Sequence, residues 1–439
     1  MDASKTTPLL RSTRENGPSL TYQEISKGSM GGPESVRILR TAAEIEDFRE
    51  TWESWQRHPN IDIDFYLTVN RMRPQILRPH IVVLYRDGRP DAMLVGRIVN
   101  ERIACNIGYK TVFAPRARVL RIIYGGILGN LSPANGEILV NEILSALCRG
   151  ESDLAILSPI RVDSPFYQAA TQVPGFLSRD FFPPVQLHRS TSIPATVEDF
   201  NRRLSHKVRK NSKWKRLLRD FPGGIRIDCI RELDGLERMI RDVEEIAKKT
   251  YQRGLGVGFK DNAETREVPR LDAEKGRLRA FILYLADRPC AFWVGTVYQQ
   301  TFHGGYVGYD PEYGRYALGM FLMMRVIESF CQGNGNKDVA EIDFGLGDAE
   351  YKEILGTCTW QEGSLCLFAP NLRGLGLNAL RTPVLVVDRM ASAALARTGL
   401  VAKIKKAWRD RVKQPKNMPS EDGESSTGLS ASKAKPKGA

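Results

Sequence analysis

The stretch Thr301 to Pro370 constrains the fold more than any other part of the chain. Residues Thr301 to Tyr309 alternate, Asp310-Pro-Glu-Tyr-Gly314 makes a turn, and Arg315 to Gln332 carries apolar residues at helical spacing. After a Gly/Asn break come the short run Val339 to Phe344, the loop Gly345-Leu-Gly-Asp348, then Tyr351-Lys352, and the run Trp360 to Phe368. The order reads strand, turn, helix, strand, glycine loop, short helix, strand. A strand feeding a helix, beside a second strand ending in an acidic glycine loop, sets free N–H groups, a carboxylate and a phenol along one sheet edge.

The rest of the chain shows one plan twice. Val36 to Leu39 reads as a strand, and Thr41-Ala-Ala-Glu44 fits a capping box ahead of one helix carrying Ile45, Phe48, Trp52 and Trp55. A helix over Asp64 to Met72 follows, then a hairpin, Ile81 to Tyr85 and Ala92 to Val99, turned at Asp87-Gly88. Glu137 to Arg149 reads as a helix, Leu154 to Ser158 as a strand, and Phe166 to Ala170 as the start of a helix. In the second half Thr196 opens a helix, Arg226 to Ile230 is a strand, Leu233 to Lys249 a helix, and Arg277 to Tyr298 a hairpin turned at Asp287-Arg-Pro. Two copies of that order predict duplicated α/β domains with mixed sheets, residues 36–190 and 191–372, meeting near Pro183 to Pro194. Residues 1–35 and 414–439 are too poor in apolar residues to fold alone. Between them, 373–413 reads as a helical extension broken at Pro383, with basic residues concentrated in Arg397 to Lys413. Such a helix lies on an anionic membrane surface or packs against the body or a partner.

With 439 residues, 42% hydrophobic and 26% charged, the chain has the make-up of a soluble globular protein. No run approaches the roughly 20 unbroken apolar residues of a spanning helix. No secretory signal is visible, and seven scattered cysteines without metal-ligand spacing fit reduced thiols, so a cytoplasmic location without a metal site is expected. The net charge of +13 suggests acidic partners. Arg202 to Arg219 concentrates it: Arg202, Arg203, Lys207, Arg209, Lys210, Lys213, Lys215, Arg216 and Arg219, with no acid among them. Leu204, Val208, Leu217 and Leu218 give this predicted helix an apolar stripe. Its crowded charges repel unless phosphates of a nucleotide-linked sugar, an acyl carrier or RNA bind them, and a merely solvated face is the alternative.

The hairpin Arg277 to Tyr298, the Tyr-Asp-Pro-Glu-Tyr run, the helix with Gly319, and above all Asp343-Phe-Gly-Leu-Gly-Asp348 with Tyr351-Lys352 resemble the C-terminal half of GNAT-type acyltransferases. Within that superfamily the chain looks most like the branch of the cellulose-biosynthesis protein CelD, distantly similar to Fem-type aminoacyl transferases. The resemblance runs from about Val36 to Pro370. It implies tandem GNAT-like domains and an N-acyltransferase that takes acetyl-CoA or another acyl-CoA as donor. The implied acceptor is an amino group, anionic or phosphate-bearing in its surroundings, on a sugar, polysaccharide or cell-envelope precursor. It also implies that the carrier's pyrophosphate rests where the helix after the fourth strand begins, at Arg315, Tyr316, Leu318, Gly319 and Met320. There the chain departs from the superfamily's Arg/Gln-x-x-Gly-x-Gly/Ala, with Leu318 and Met320 in place of the glycines.

Acyl transfer from a thioester needs an amine without its proton, a stabilised oxyanion and an acid for the thiolate. Tyr351, with a pKa near 10 in its ordinary state, suits the acid, or else packs under the loop. Asp343 takes the amine's proton, or accepts the N–H groups of Gly345 and Gly347 to order the loop. Lys352 pairs with Asp348 or an anionic substrate, or is solvated. Asp348 is otherwise a helix N-cap. His303 reaches a cleft or belongs to the core, and Arg209 and Lys210 contact the acidic part of a substrate. Two further readings stay open: aminoacyl transfer from tRNA, and a non-enzymatic protein of a polysaccharide-synthesis complex.

Overall fold

The computed structural model describes residues 34–397 except 109, 251–252, 254–257 and 334–337. Both expected tails, apart from Glu34 and Ser35, lie outside these residues, as does the basic stretch beyond Arg397. The strands are β1 (Glu34–Leu39), β2 (Ile76–Arg86), β3 (Arg89–Arg102), β4 (Cys105–Ile107), β5 (Lys110–Phe113), β6 (Arg116–Gly129) and β7 (Leu154–Arg161). They continue with β8 (Val185–Ser192), β9 (Ile225–Ile230), β10 (Leu278–Leu285), β11 (Arg288–Tyr298), β12 (Thr301–Tyr309), β13 (Glu341–Leu346) and β14 (Cys358–Phe368). Both predicted hairpins form, and their turn residues take the left-handed backbone that such two-residue turns need: Asp87 (φ 51°) and Gly88 (φ 72°), Ala286 (φ 46°) and Asp287 (φ 63°).

Twelve strands make one mixed sheet in the order β1-β2-β3-β6-β7-β14-β8-β13-β12-β11-β10-β9, with β4 and β5 paired apart. The order is a palindrome. In each half a hairpin leads to a parallel pair, β6 with β7 and β12 with β13, joined by a crossover helix, Pro133–Cys148 or Leu318–Gln332. The last strands then change sides: β8 follows β7 along the chain but pairs with β13, and β14 follows β13 but pairs with β7. β8 and β14 also pair with each other, closing the sheet across its centre. The stretch around Pro183 to Pro194 is therefore a central strand, and a division after residue 190 falls inside it.

Helices cover both faces, which is why β10 is buried along its whole length. Its Phe281, Leu283 and Leu285 join the cluster under the Leu318–Gln332 helix. Ala280, Ile282 and Tyr284 join the opposite one, under the helix Leu236–Ala247. The two halves are also locked through Asp62, 1% exposed, which caps the helix Ile63–Met72 and accepts from Arg277 of the other half at 2.7 Å. Breaking such a buried pair costs about 3–5 kcal/mol, because one charge is left unpaired.

Three expected helices differ. Arg202 to Arg219 is not one helix but the end of Val197–Arg203, then His206–Arg209 and Ser212–Asp220, because the side chains of Ser205 and Asn211 cap new starts by accepting Val208 N–H and Lys213 N–H. Leu218 consequently faces solvent, while Leu204 and Leu217 are buried. The first aromatic helix is split at Phe48 into Ala42–Glu46 and Arg49–Trp55. Conversely, Leu372–Arg397 runs unbroken through Pro383, since the Arg381–Asp180 ion pair (3.0 Å), the Asn378 bond to Leu177 O and the burial of Leu377 and Val384 hold it on either side.

Candidate active site between the lobes

β12 and β13 pair over just three residues, Thr301↔Glu341, Phe302↔Ile342 and His303↔Asp343. This register puts His303 beside Asp343, with Nδ1 3.2 Å from Oδ2. Beyond Asp343 the strand bulges at Gly345 (φ 70°), whose N–H donates to Asp343 Oδ1 at 2.6 Å. Asp343 does order the first glycine; Gly347 N–H goes instead to Leu187 O.

The exchanged strands supply what the sequence did not reveal. His188 on β8 is 2% exposed, and its Nε2 lies 2.6 Å from Asp343 Oδ1. Its Nδ1 lies 3.3 Å from Glu362 Oε1 and 3.2 Å from the Tyr124 hydroxyl. Tyr124 and Trp360 Nε1 both donate to Glu362 Oε1, and the Trp360 ring stacks on His188 at 4.3 Å between centroids. Burial works against a charge on His188, but the two carboxylates outweigh it and push its pKa up to about 9. Burial works against a charge on Asp343 too, but its contacts with His188 and His303 outweigh it and hold its carboxyl far below the usual carboxylate range. The network therefore holds an imidazolium between two carboxylates.

His58 completes the group from the first half. It precedes the short turn Pro59–Ile61, and its Nδ1 accepts Asn60 N–H at 3.1 Å. Burial first, and the neighbouring His303 second, push its pKa down to about 3, so it is neutral. Gly125, at φ 76°, lets the ring sit close: a Cβ there would lie 3.1 Å from His58 Cβ. Three of the chain's five histidines thus meet at one aspartate. With Tyr124 they line a cavity of about 590 Å³ between the two halves.

One ring nitrogen each of His58 and His303 and an oxygen of Asp343 lie within 4.8 Å of one another, a trio that a metal ion could use. The Asn60 bond disfavours this, because a ring whose Nδ1 accepts a hydrogen bond carries its proton on Nε2 and offers a donor there.

The other predicted residues lie elsewhere. Tyr351, on the helix Glu350–Leu355, packs edge-on against Phe344 at 6.1 Å and does not line the cavity. Lys352 is buried, not solvated, and donates to Leu346 O at 2.6 Å, with its pKa lowered by that burial. Asp348 is exposed, and the N-cap of that helix is Ala349. Around Gly319, Tyr316 and Leu318 are core residues at 1% and 0% exposure, Met320 packs against the same core, and the exposed Arg315 lies over the Tyr316 ring. That leaves backbone rather than side chains to receive a phosphate, since the Leu318–Gln332 helix has no side-chain cap. Arg209 and Lys210 are exposed on the basic segment. Nothing in the sequence flags His58, Tyr124, His188, Trp360 or Glu362, because none belongs to a motif and strand exchange alone brings them together.

Residues 205–353 match the GNAT acetyltransferase domain family. The chain is an acyltransferase by this GNAT domain, which fixes neither donor nor acceptor, and the two copies of its plan make the fold tandem GNAT-like. No curated protein matches the sequence. Similar solved structures include FemX (13% identity, 76% of this chain and 97% of that one, TM-score 0.47). Another is the C-terminal domain of a putative lysylphosphatidylglycerol synthetase from Agrobacterium fabrum (11%, 78% and 96%, 0.44). A third is a tandem GNAT protein of the clavulanic acid pathway (12%, 77% and 99%, 0.42). Among the described residues no helix is long and apolar enough to cross a membrane.

Proposed function

We propose that the chain transfers an acyl group from acetyl-CoA or another acyl-CoA to an amino group of a sugar, polysaccharide or cell-envelope precursor, the class that the CelD-like resemblance implies. The observation that carries the reading is the His303–Asp343 pair at the cavity. Asp343 holds Nδ1 of His303, and Nε2 makes no hydrogen bond among the described residues, so it is free to take the proton of an attacking amine. Asp343 is the poorer base, because both of its oxygens are already engaged and its affinity for a proton is low. It orients His303 instead. The acyl carrier's phosphates go to the uncapped start of the Leu318–Gln332 helix, where N–H groups and the helix dipole favour an anion. Tyr351 would serve as the acid for a thiolate departing beside Phe344, outside the cavity lining. Tyr351→Phe, which keeps the ring and removes the proton, tests that role. The same proposal divides the chain into two units, expected as 36–190 and 191–372, whose boundary moves to the end of β8 so that each unit is completed by the other's whole last strand.

Release of free thiol from an acyl-CoA series, followed with a panel of amino sugars and related amines, is the direct assay. Amine-dependent thiol release is expected, and its absence across the panel overturns the reading. A second donor, aminoacyl-tRNA, is favoured by one observation: Lys207, Arg209, Lys210, Lys213, Lys215 and Arg216 are exposed, and none forms an ion pair among the described residues. If charged tRNA supports transfer and acyl-CoA does not, this donor replaces CoA, and changing Arg209, Lys210 and Lys213 to Ala should flatten the salt dependence of binding.

A further inference from the structure

The proposed chemistry leaves one requirement without a residue. Attack of the amine nitrogen on the thioester carbon forms the C–N bond and moves the carbonyl π electrons onto oxygen. That oxyanion needs a donor already aimed at it in a site kept from bulk water. The donor must also stay neutral, because a proton it gave up would trap the intermediate.

The geometry points to His58, contributed by the N-terminal half, as the oxyanion donor of a C-terminal acyltransferase site. Four observations meet there. The backbone N–H of Asn60 donates to Nδ1, so the ring proton sits on Nε2, and Nε2 makes no hydrogen bond among the described residues. The ring is in T-shaped contact with His303 at 4.7 Å and with Tyr124 at 4.9 Å, which places it beside the proton acceptor on the cavity wall. Gly125 leaves the room this position needs, since any side chain there would press on His58 Cβ and would also strain a backbone at φ 76°. Burial keeps the ring neutral well below neutral pH, with His303, His188 and Asp343 as the titratable groups acting on it.

This rests on the acyl-transfer reading, and the electrons balance within it. The amine proton passes to His303 Nε2, and the oxyanion forms against the Nε2–H of His58. Collapse of the intermediate restores the carbonyl, breaks the C–S bond and releases a thiolate, which takes the proton of the proposed acid Tyr351, while His303 passes the amine's proton to solvent and Tyr351 is reprotonated from it. His58 keeps its proton throughout.

Full-length protein with acetyl-CoA and the best amine of the panel provides the test. His58→Ala should lower kcat by about 10²–10³ with KM for both substrates nearly unchanged, as removal of a single oxyanion donor does. His58→Gln, which keeps an uncharged N–H donor, should recover at least a tenth of the wild-type kcat. A melting temperature is read for each variant, since His58 also precedes the Pro59–Ile61 turn. If His58→Ala changes only KM, or changes kcat no more than its loss of folded protein accounts for, the inference is overturned while acyl transfer stands. If the wild type releases no thiol but His58→Ala merely melts earlier, both fail and His58 is structural.

Discussion

The parallel pairs at the heart of the two halves occupy matching places in the sheet and are built differently. In β6–β7 the partners are Val119↔Leu154, Leu120↔Ala155, Arg121↔Ile156 and Ile122↔Leu157, nearly all apolar and buried. In β12–β13 the third pair is His303↔Asp343. The crossover helices differ in the same direction. Pro133–Cys148 starts with Ser132 accepting Asn135 N–H, and Asn135 in turn donates to Asp91 at 2.8 Å, so a carboxylate of the chain itself already sits near that helix start. Leu318–Gln332 starts from Ala317 in the left-handed region (φ 54°) with no side-chain cap. One copy of the plan is closed by its own side chains at the helix start, and the other has no side-chain cap there. Duplication lets the first copy carry stability and lend His58 and Tyr124, while the second keeps a polar, partly unsatisfied edge.

The comparison breaks if the two pairs respond alike to substitution. His303→Ala should lower kcat by about 10²–10⁴ and leave the melting temperature almost unchanged, as for a general base at a cavity wall. Leu157→Ala, in the other pair, should cost about 2–5 kcal/mol of stability through the lost burial and the cavity it leaves, with kcat per folded molecule unchanged. Denaturant titration and initial rates on both variants separate the two outcomes. A His303→Ala protein that melts as early as Leu157→Ala would make the histidine a core residue.

A smaller effect follows from the histidines at the junction. His188 binds its proton more tightly when folded, with a pKa of about 9, so its contribution is full below about 6.5, its unfolded value, and is lost as pH rises toward 9. His58 has the opposite sign, with a folded value of about 3, and stability is lost as pH falls from about 6.5. Melting temperature should therefore peak near neutrality, and His188→Gln should flatten the alkaline limb while leaving the acid limb of His58 in place. An alkaline limb as steep as in the wild type would remove His188 as its source. The smallest effect belongs to the closed helix: Ser132→Ala should cost about 1 kcal/mol, without any change in KM for the acyl donor.

The sequence by itself determined the local elements, because their signals are local. Asp87-Gly88 sets the first hairpin, the second turns at Ala286-Asp287, one residue ahead of the expected Asp287-Arg-Pro, Thr41 and Glu44 form the expected capping box, and Thr196 caps the helix it was expected to open. It also showed the duplicated order of elements and the strand carrying Asp343. It misjudged the basic segment and the Pro383 helix, where one serine, one asparagine and a buried ion pair outweighed apolar spacing and proline. What tertiary structure alone decided is the exchange of β8 and β14, and with it the site. His188 meets Asp343 across 155 positions, and Tyr124 meets Glu362 across 238. A strand's pattern of apolar residues states that it will be buried, but edge-to-edge pairing uses backbone groups that every residue carries, so the pattern cannot name the partner. Only the closure of the two halves against each other, which buries β8 and β14 at the centre of one sheet, brings three isolated histidines to a single carboxylate.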